Sequence, residues 1–204
     1  IAVAAELAAQ GYTTVLVDAD LRGGNVAPYL GLDPRRGLVG LAGGDGDLAV
    51  RVAGEGRVHF VGHSLGGVLV YRTLVECASP RFDGNAVLLG PPLNGSRAAR
   101  GVSRWPMLRP LLGPHVIAEL AEPTGRCWNG RNALGVIAGT LRVGTGQLFA
   151  HFEEDNDGTV AVSETRVPGL ADHLVLPHSH MGMLLASDVA RQVAGFLRGG
   201  RFAR

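Results

Sequence analysis

A serine hydroxyl becomes a nucleophile only when an imidazole takes its proton, and Ser64 stands in a setting that could arrange this. It lies in Gly62-His63-Ser64-Leu65-Gly66-Gly67, after the apolar run Val58-His59-Phe60-Val61 and before a helical pattern from Leu65 to Cys77. A bare G-x-S-x-G is a weak signal, because Gly and Ser are common; between a strand and a helix it is a strong one. The serine must sit on a sharp, strained turn so that its hydroxyl stands clear of the sheet. Glycines two positions to either side are expected where that turn passes close to other backbone. The helix that follows directs its partial positive charge at the site, and Leu65 N–H is a natural donor to an oxyanion. His63 adjoins the nucleophile, but the turn points it elsewhere, and packing is its expected role.

The base must come from another part of the chain. Leu176-Pro177-His178-Ser179-His180-Met181-Gly182 offers two histidines just after a predicted strand, and His178 and His180 compete for the role. Their spacing of two also suits a metal pair on a strand, but no carboxylate or cysteine cluster accompanies them, so no metal and no cofactor is implied. A carboxylate must hold the imidazole in the right tautomer. Glu153-Glu154-Asp155-Asn156-Asp157-Gly158-Thr159-Val160 supplies four, most of which read as a solvated acidic turn. Asp157 is favoured because Asp157-Gly158 makes a tight turn before an apolar stretch; Asp155 is its rival.

The elements that would position these groups alternate. Ala2 to Gln10 reads as a helix ended by Gly11, and Thr13 to Val17 as a buried strand. Strands follow at Val58 to Val61, Asn85 to Leu89, Val136 to Ala138 and Leu174 to Leu176, with a closing helix from Ser187 to Leu197. Strands alternating with helices predict an α/β domain with a mainly parallel sheet covered on both faces. Residues 21–56 read as loop plus short helix, and Asp155 to Thr159 as a turn. The Pro-rich stretch 90–132, with Trp105, Met107, Leu108, Leu111 and Leu112, reads equally as a lid or acyl pocket and as a packed connection.

Composition narrows the classes. A single domain of 204 residues buries roughly 70% of its unfolded surface and needs no staples. Charged residues make up 18% and the net charge is +1, which gives no support for a nucleic-acid partner. All 19 basic residues are Arg and none is Lys. Cys77 and Cys127 read as two reduced thiols rather than a disulfide framework. No apolar run approaches the ~20 residues of a transmembrane helix, and no signal peptide is visible. The chain opens on Ile1 inside a helical pattern, which leaves room for residues upstream. Location therefore stays open with the cytoplasm favoured, and the oligomeric state is not indicated.

From about Arg57 to the end, the sequence resembles bacterial α/β-hydrolases of the lipase-like type, relatives of small triacylglycerol lipases and PGAP-like esterases. Four blocks carry the likeness: Val58 to Gly67, Leu88-Leu89-Gly90-Pro91-Pro92-Leu93-Asn94-Gly95-Ser96, Asn156-Asp157-Gly158-Thr159-Val160, and Ser179-His180-Met181-Gly182-Met183-Leu184. In such enzymes the nucleophile, acid and base follow in that chain order. The resemblance assigns them to Ser64, Asp157 and His180, and implies hydrolysis of a small-molecule or lipid carboxylic ester without identifying the ester.

Residues 1–50 resemble something else. Val15-Leu16-Val17-Asp18-Ala19-Asp20-Leu21-Arg22, with Gly31-Leu32-Asp33 and Gly37-Leu38, is similar to the deviant-Walker ATPases, the bacterial tyrosine autokinases in particular. The resemblance implies that Asp18, Asp20 and Arg22 belong to a nucleotide-binding module. Its phosphate loop is absent and the chain has no Lys to place on a phosphate, so no Mg-ATP binding is expected. The run of several such blocks favours a hybrid segment over a coincidental likeness. In the lipase-like family a second oxyanion donor comes from a loop after an early strand. No such strand and loop are visible here, which implies an impaired enzyme or an inactive scaffold, and an exposed sheet edge.

Overall fold

The computed structural model describes residues 2–14, 57–76, 83–103, 120, 123–125, 127–144 and 152–204. Those residues form a four-stranded, all-parallel sheet in the order β1-β2-β3-β4: Phe60–His63, Ala86–Leu89, Leu134–Gly139 and Asp172–Leu176. Among the described residues four α-helices accompany it: α1 (Ala2–Ala9), α2 (Leu65–Glu76), α3 (Arg97–Ser103) and α4 (Ser187–Gly199). The strand expected at Thr13 to Val17 falls largely outside the described residues. So do the ATPase-like blocks, Asp18, Asp20, Arg22, Trp105, Met107, Leu108, Leu111 and Leu112.

Alternation along the strands separates two cores, because successive side chains leave a strand on opposite faces. Val87, Leu89 and Ile137 meet Val3 and Leu7 of α1 and Val189, Val193 and Phe196 of α4. Ala86, Leu88, Leu134 and Val136 meet Val68 and Tyr71 of α2 and the indole of Trp128. Strands β2 and β3 are buried on both faces, which accounts for their unbroken apolar sequences.

Strand positions depart from sequence expectation where side chains take over backbone bonds. β1 starts two residues later than Val58. The Asn85 N–H goes to His59 Nδ1 at 3.0 Å, and the first ladder bond, Phe60 N–H to Asn85 O, comes after it. Asn85 itself leaves β2 because its side chain donates to Leu197 O at 2.9 Å and accepts from Ala133 N–H at 3.1 Å, tying α4 to the sheet. β3 is longer than Val136 to Ala138 because its two glycines lie within the ladder. A Cβ on Gly135 would sit 2.5 Å from the Phe196 ring, and one on Gly139 2.3 Å from His178 O. The end helices match expectation, with Gly11 (φ +86°) after α1 and Gly200 (φ +72°) capping α4 in the left-handed conformation. No helix among the described residues is long and apolar enough to cross a membrane.

Candidate active site

The carboxyl ends of β1, β2, β3 and β4 lie at one sheet edge, and the chain turns there into Ser64, Gly90, Thr140 and the His178–His180 segment. Loops at that edge are where parallel α/β sheets hold their ligands.

Ser64 is the junction of β1 and α2. Among the described residues it is the one non-glycine with positive φ, at +54°. The turn is held by Ser64 N–H donating to Leu89 O at 2.9 Å and by Ser64 O accepting from Gly67 N–H at 3.0 Å. Close approach explains Gly62, whose Cβ would sit 2.6 Å from Gly67 Cα. It does not explain Gly66, which has open space where its side chain would be. The first turn of α2 lays both Gly67 Cα and Gly66 O against Gly62, but it is Gly67, not Gly66, whose own side-chain space is crowded, by Pro91 at 3.0 Å. This corrects the expectation drawn from the G-x-S-x-G spacing. Leu65 opens α2, so its N–H has no intrahelical acceptor.

Asp157 and His180 are brought together. His180 Nδ1 lies 2.7 Å from Asp157 Oδ2, and His180 N–H donates to Asp157 O at 2.9 Å. Both are buried, with Asp157 1% and His180 6% exposed. The other carboxylate oxygen, Oδ1, accepts Thr159 N–H at 2.9 Å and Val160 N–H at 2.7 Å. The turn that supplies these donors is closed by Asn156, whose Oδ1 takes Gly158 N–H at 3.1 Å. Gly158 has φ +92°, and a Cβ on it would meet Val143 C at 2.4 Å, so this position admits only Gly. The rivals lie elsewhere. His178 Nε2 pairs with Asp188 of α4 at 2.8 Å, and Asp155 is exposed beside Arg142. Among the described residues no hydrogen bond joins Ser64 Oγ to the His180 ring. Bonds of this kind are often long before substrate is bound.

Three features of the site were not legible as such. His63, expected only to pack, places its ring 4.6 Å from that of His180 (centroid to centroid) and bonds the His180 carbonyl through Nε2 at 3.0 Å. Gly90, at φ +53°, lies against the pair: its Cβ would come 3.0 Å from Asp157 Oδ2 and 3.1 Å from His180 Nδ1. The Gly-Pro-Pro sequence signals a turn there but not what it touches. Gly90→Ala is expected to reduce turnover on the order of 10²-fold by displacing the pair, with unchanged far-ultraviolet circular dichroism. Finally, buried Glu164 fastens the acidic turn. It accepts Arg97 N–H at 2.7 Å and Ala161 N–H at 2.9 Å.

Burial, and then the proximity of His180, pushes His63 down to about 4. Burial, and then Arg166, pushes His173 down to about 4 as well. The unfolded chain protonates both near 6.5, so from pH 6.5 to 4 it binds more protons than the folded one and stability falls with pH. For His63 the whole window corresponds to on the order of 3 kcal/mol. Glu164 acts oppositely: burial raises its carboxyl above 4.5, so the fold gains as it protonates. His59, which burial also lowers, acts in the same direction as the other two histidines. The thermal midpoint is expected to drop as pH falls from 6.5 toward 4, and His63→Phe to flatten that drop. An unchanged slope in the variant would contradict the assignment.

No protein-family model and no curated protein sequence matches this chain. Solved structures do, among them two of lipase BlEst2 from Bacillus licheniformis. The mature form has a TM-score of 0.52 at 17% identity over 72% of this chain. The propeptide form has a TM-score of 0.55 at 17% identity over the same share. The fold is α/β-hydrolase-like. The chain spans 66% of the length of the mature lipase and 36% of the propeptide form.

Proposed function

We propose that the protein is a serine hydrolase of carboxylic esters. The observation that carries this reading is the buried His180 Nδ1–Asp157 Oδ2 bond of 2.7 Å, at the sheet edge where strained Ser64 also lies. A carboxylate on Nδ1 keeps the proton there and leaves Nε2 free to accept another. Ser64 Oγ attacks the ester carbonyl as its proton passes to His180 Nε2. The new oxyanion is met by Leu65 N–H at the start of α2. Collapse returns the carbonyl, and the alcohol leaves with the proton from His180. Water, deprotonated by His180, then cleaves the acyl-enzyme to the acid and regenerates Ser64. Asp157 stabilises the imidazolium formed in each half.

The substrate class is a small-molecule or lipid ester, in keeping with the lipases that share the fold. A fluorophosphonate probe tests the reading, because it phosphonylates only an activated serine. Modification confined to the peptide carrying Ser64, and lost in His180→Ala, is the expected result. Labelling that persists in Ser64→Ala would exclude Ser64 as the nucleophile.

A further inference from the structure

Three hydrogen bonds grip His180. Two come from Asp157, one to the ring and one to the amide N–H. The third reaches the carbonyl and comes from His63, the residue immediately before Ser64. It joins positions 117 residues apart in sequence, and it spans from the end of the strand that precedes the serine to the loop carrying the imidazole. We propose that His63 is a positioning residue for the base: its Nε2–H holds the His180 main chain and so sets the separation of His180 Nε2 from Ser64 Oγ.

The chemistry fixes the form His63 takes. A carbonyl oxygen only accepts, so Nε2 must carry the proton, and Nδ1 keeps its lone pair if the ring is neutral. A neutral ring is what the reaction requires. With the two ring centroids 4.6 Å apart, a charged His63 would oppose the imidazolium that His180 becomes. Burial, followed by the repulsion of His180, keeps His63 uncharged down to about pH 4. Two further charged groups act on it: Asp157, which favours the protonated ring and is outweighed, and the chain's N-terminus, which disfavours it.

Asp157 holds the ring at Nδ1 and the main chain at the amide N–H. The His63 bond adds a hold on the carbonyl, from the last residue of the strand that precedes Ser64. The donor is therefore the operative feature, and it can be separated from ring size. In His63→Gln the side-chain Nε2 lies the same number of bonds from Cβ and still donates. In His63→Phe a ring of similar size fills the space without a donor.

The proposal rests on the serine-hydrolase reading, so its test has an arm that does not need turnover. Steady-state kinetics on p-nitrophenyl butyrate would be compared for the native chain, His63→Phe, His63→Gln and Ser64→Ala. A low-field proton NMR spectrum of each would follow the His180 Nδ1–H between imidazole and Asp157. For His63→Phe, kcat is expected to fall on the order of 10- to 100-fold with KM unchanged, as for a reacting group misplaced by about 1 Å. For His63→Gln it should recover to within about threefold of native. The low-field signal should move in the Phe variant and stay in the Gln variant. The idea is overturned by a Phe variant as active as the native chain, or by a Gln variant as impaired as Phe. It is equally overturned if both variants lose thermal stability, kcat and KM together, which is a purely structural effect. Hydrolysis that survives Ser64→Ala would instead remove the hydrolase reading, and the NMR arm would still decide whether His63 fixes His180.

Discussion

Ser64→Ala is expected to lower kcat on a short-chain p-nitrophenyl ester by roughly 10⁶-fold, leaving only the part supplied by binding and oxyanion contacts. In the proposed mechanism, loss of Oγ removes the atom that attacks and the proton that His180 takes, so the other two residues have nothing to act on. Their separate removal should then cost little more, which is the mark of groups that work as one unit. The backbone offers an independent check. At φ +54° a side chain is unfavourable by about 1 kcal/mol, and glycine relieves it. Ser64→Gly should therefore raise the midpoint of urea unfolding while abolishing turnover. Stability gained where activity is lost identifies strain kept for chemistry. A Ser64→Gly chain less stable than the native one would argue against strain at this turn.

Asp157→Asn is expected to reduce kcat on the order of 10⁴-fold with a nearly native fold. The local bonding decides how the amide must sit. Oδ1 accepts two main-chain donors, Thr159 N–H and Val160 N–H, so an oxygen has to stay there. The amide NH₂ is thereby turned toward His180 Nδ1, which must become an acceptor. The ring proton shifts to Nε2, and the base can no longer take a proton from Ser64. KM should change little, because Asp157 is only 1% exposed. A loss of less than tenfold would exclude Asp157 as the orienting acid.

Much of this site could be read from residue types because each carries a local mechanism. Strand, Gly-x-Ser-x-Gly and helix announced the strained turn, and Asn-Asp-Gly announced a tight turn that presents a carboxylate. The choice between His178 and His180 was open on spacing alone, since both follow β4; only folding places Asp188 of α4 against one of them. His63 and Gly90 were opaque for the same reason. Their partners lie more than sixty positions away, and nothing in the neighbouring residues encodes such contacts. Strand limits failed where a side chain replaced the ladder, as at His59 and Asn85, and where glycine served crowding rather than a break, as at Gly135 and Gly139.

In the proposed reaction Ser64 carries the acyl group between two half-reactions. Acid-quenching the chain during turnover of p-nitrophenyl butyrate and mapping its peptides would trap that group. A butyryl group on the peptide containing Ser64, absent in Ser64→Ala and unformed in His180→Ala, is the predicted result. Ester hydrolysis with no acylated Ser64, or with the acyl group on another residue, would contradict it.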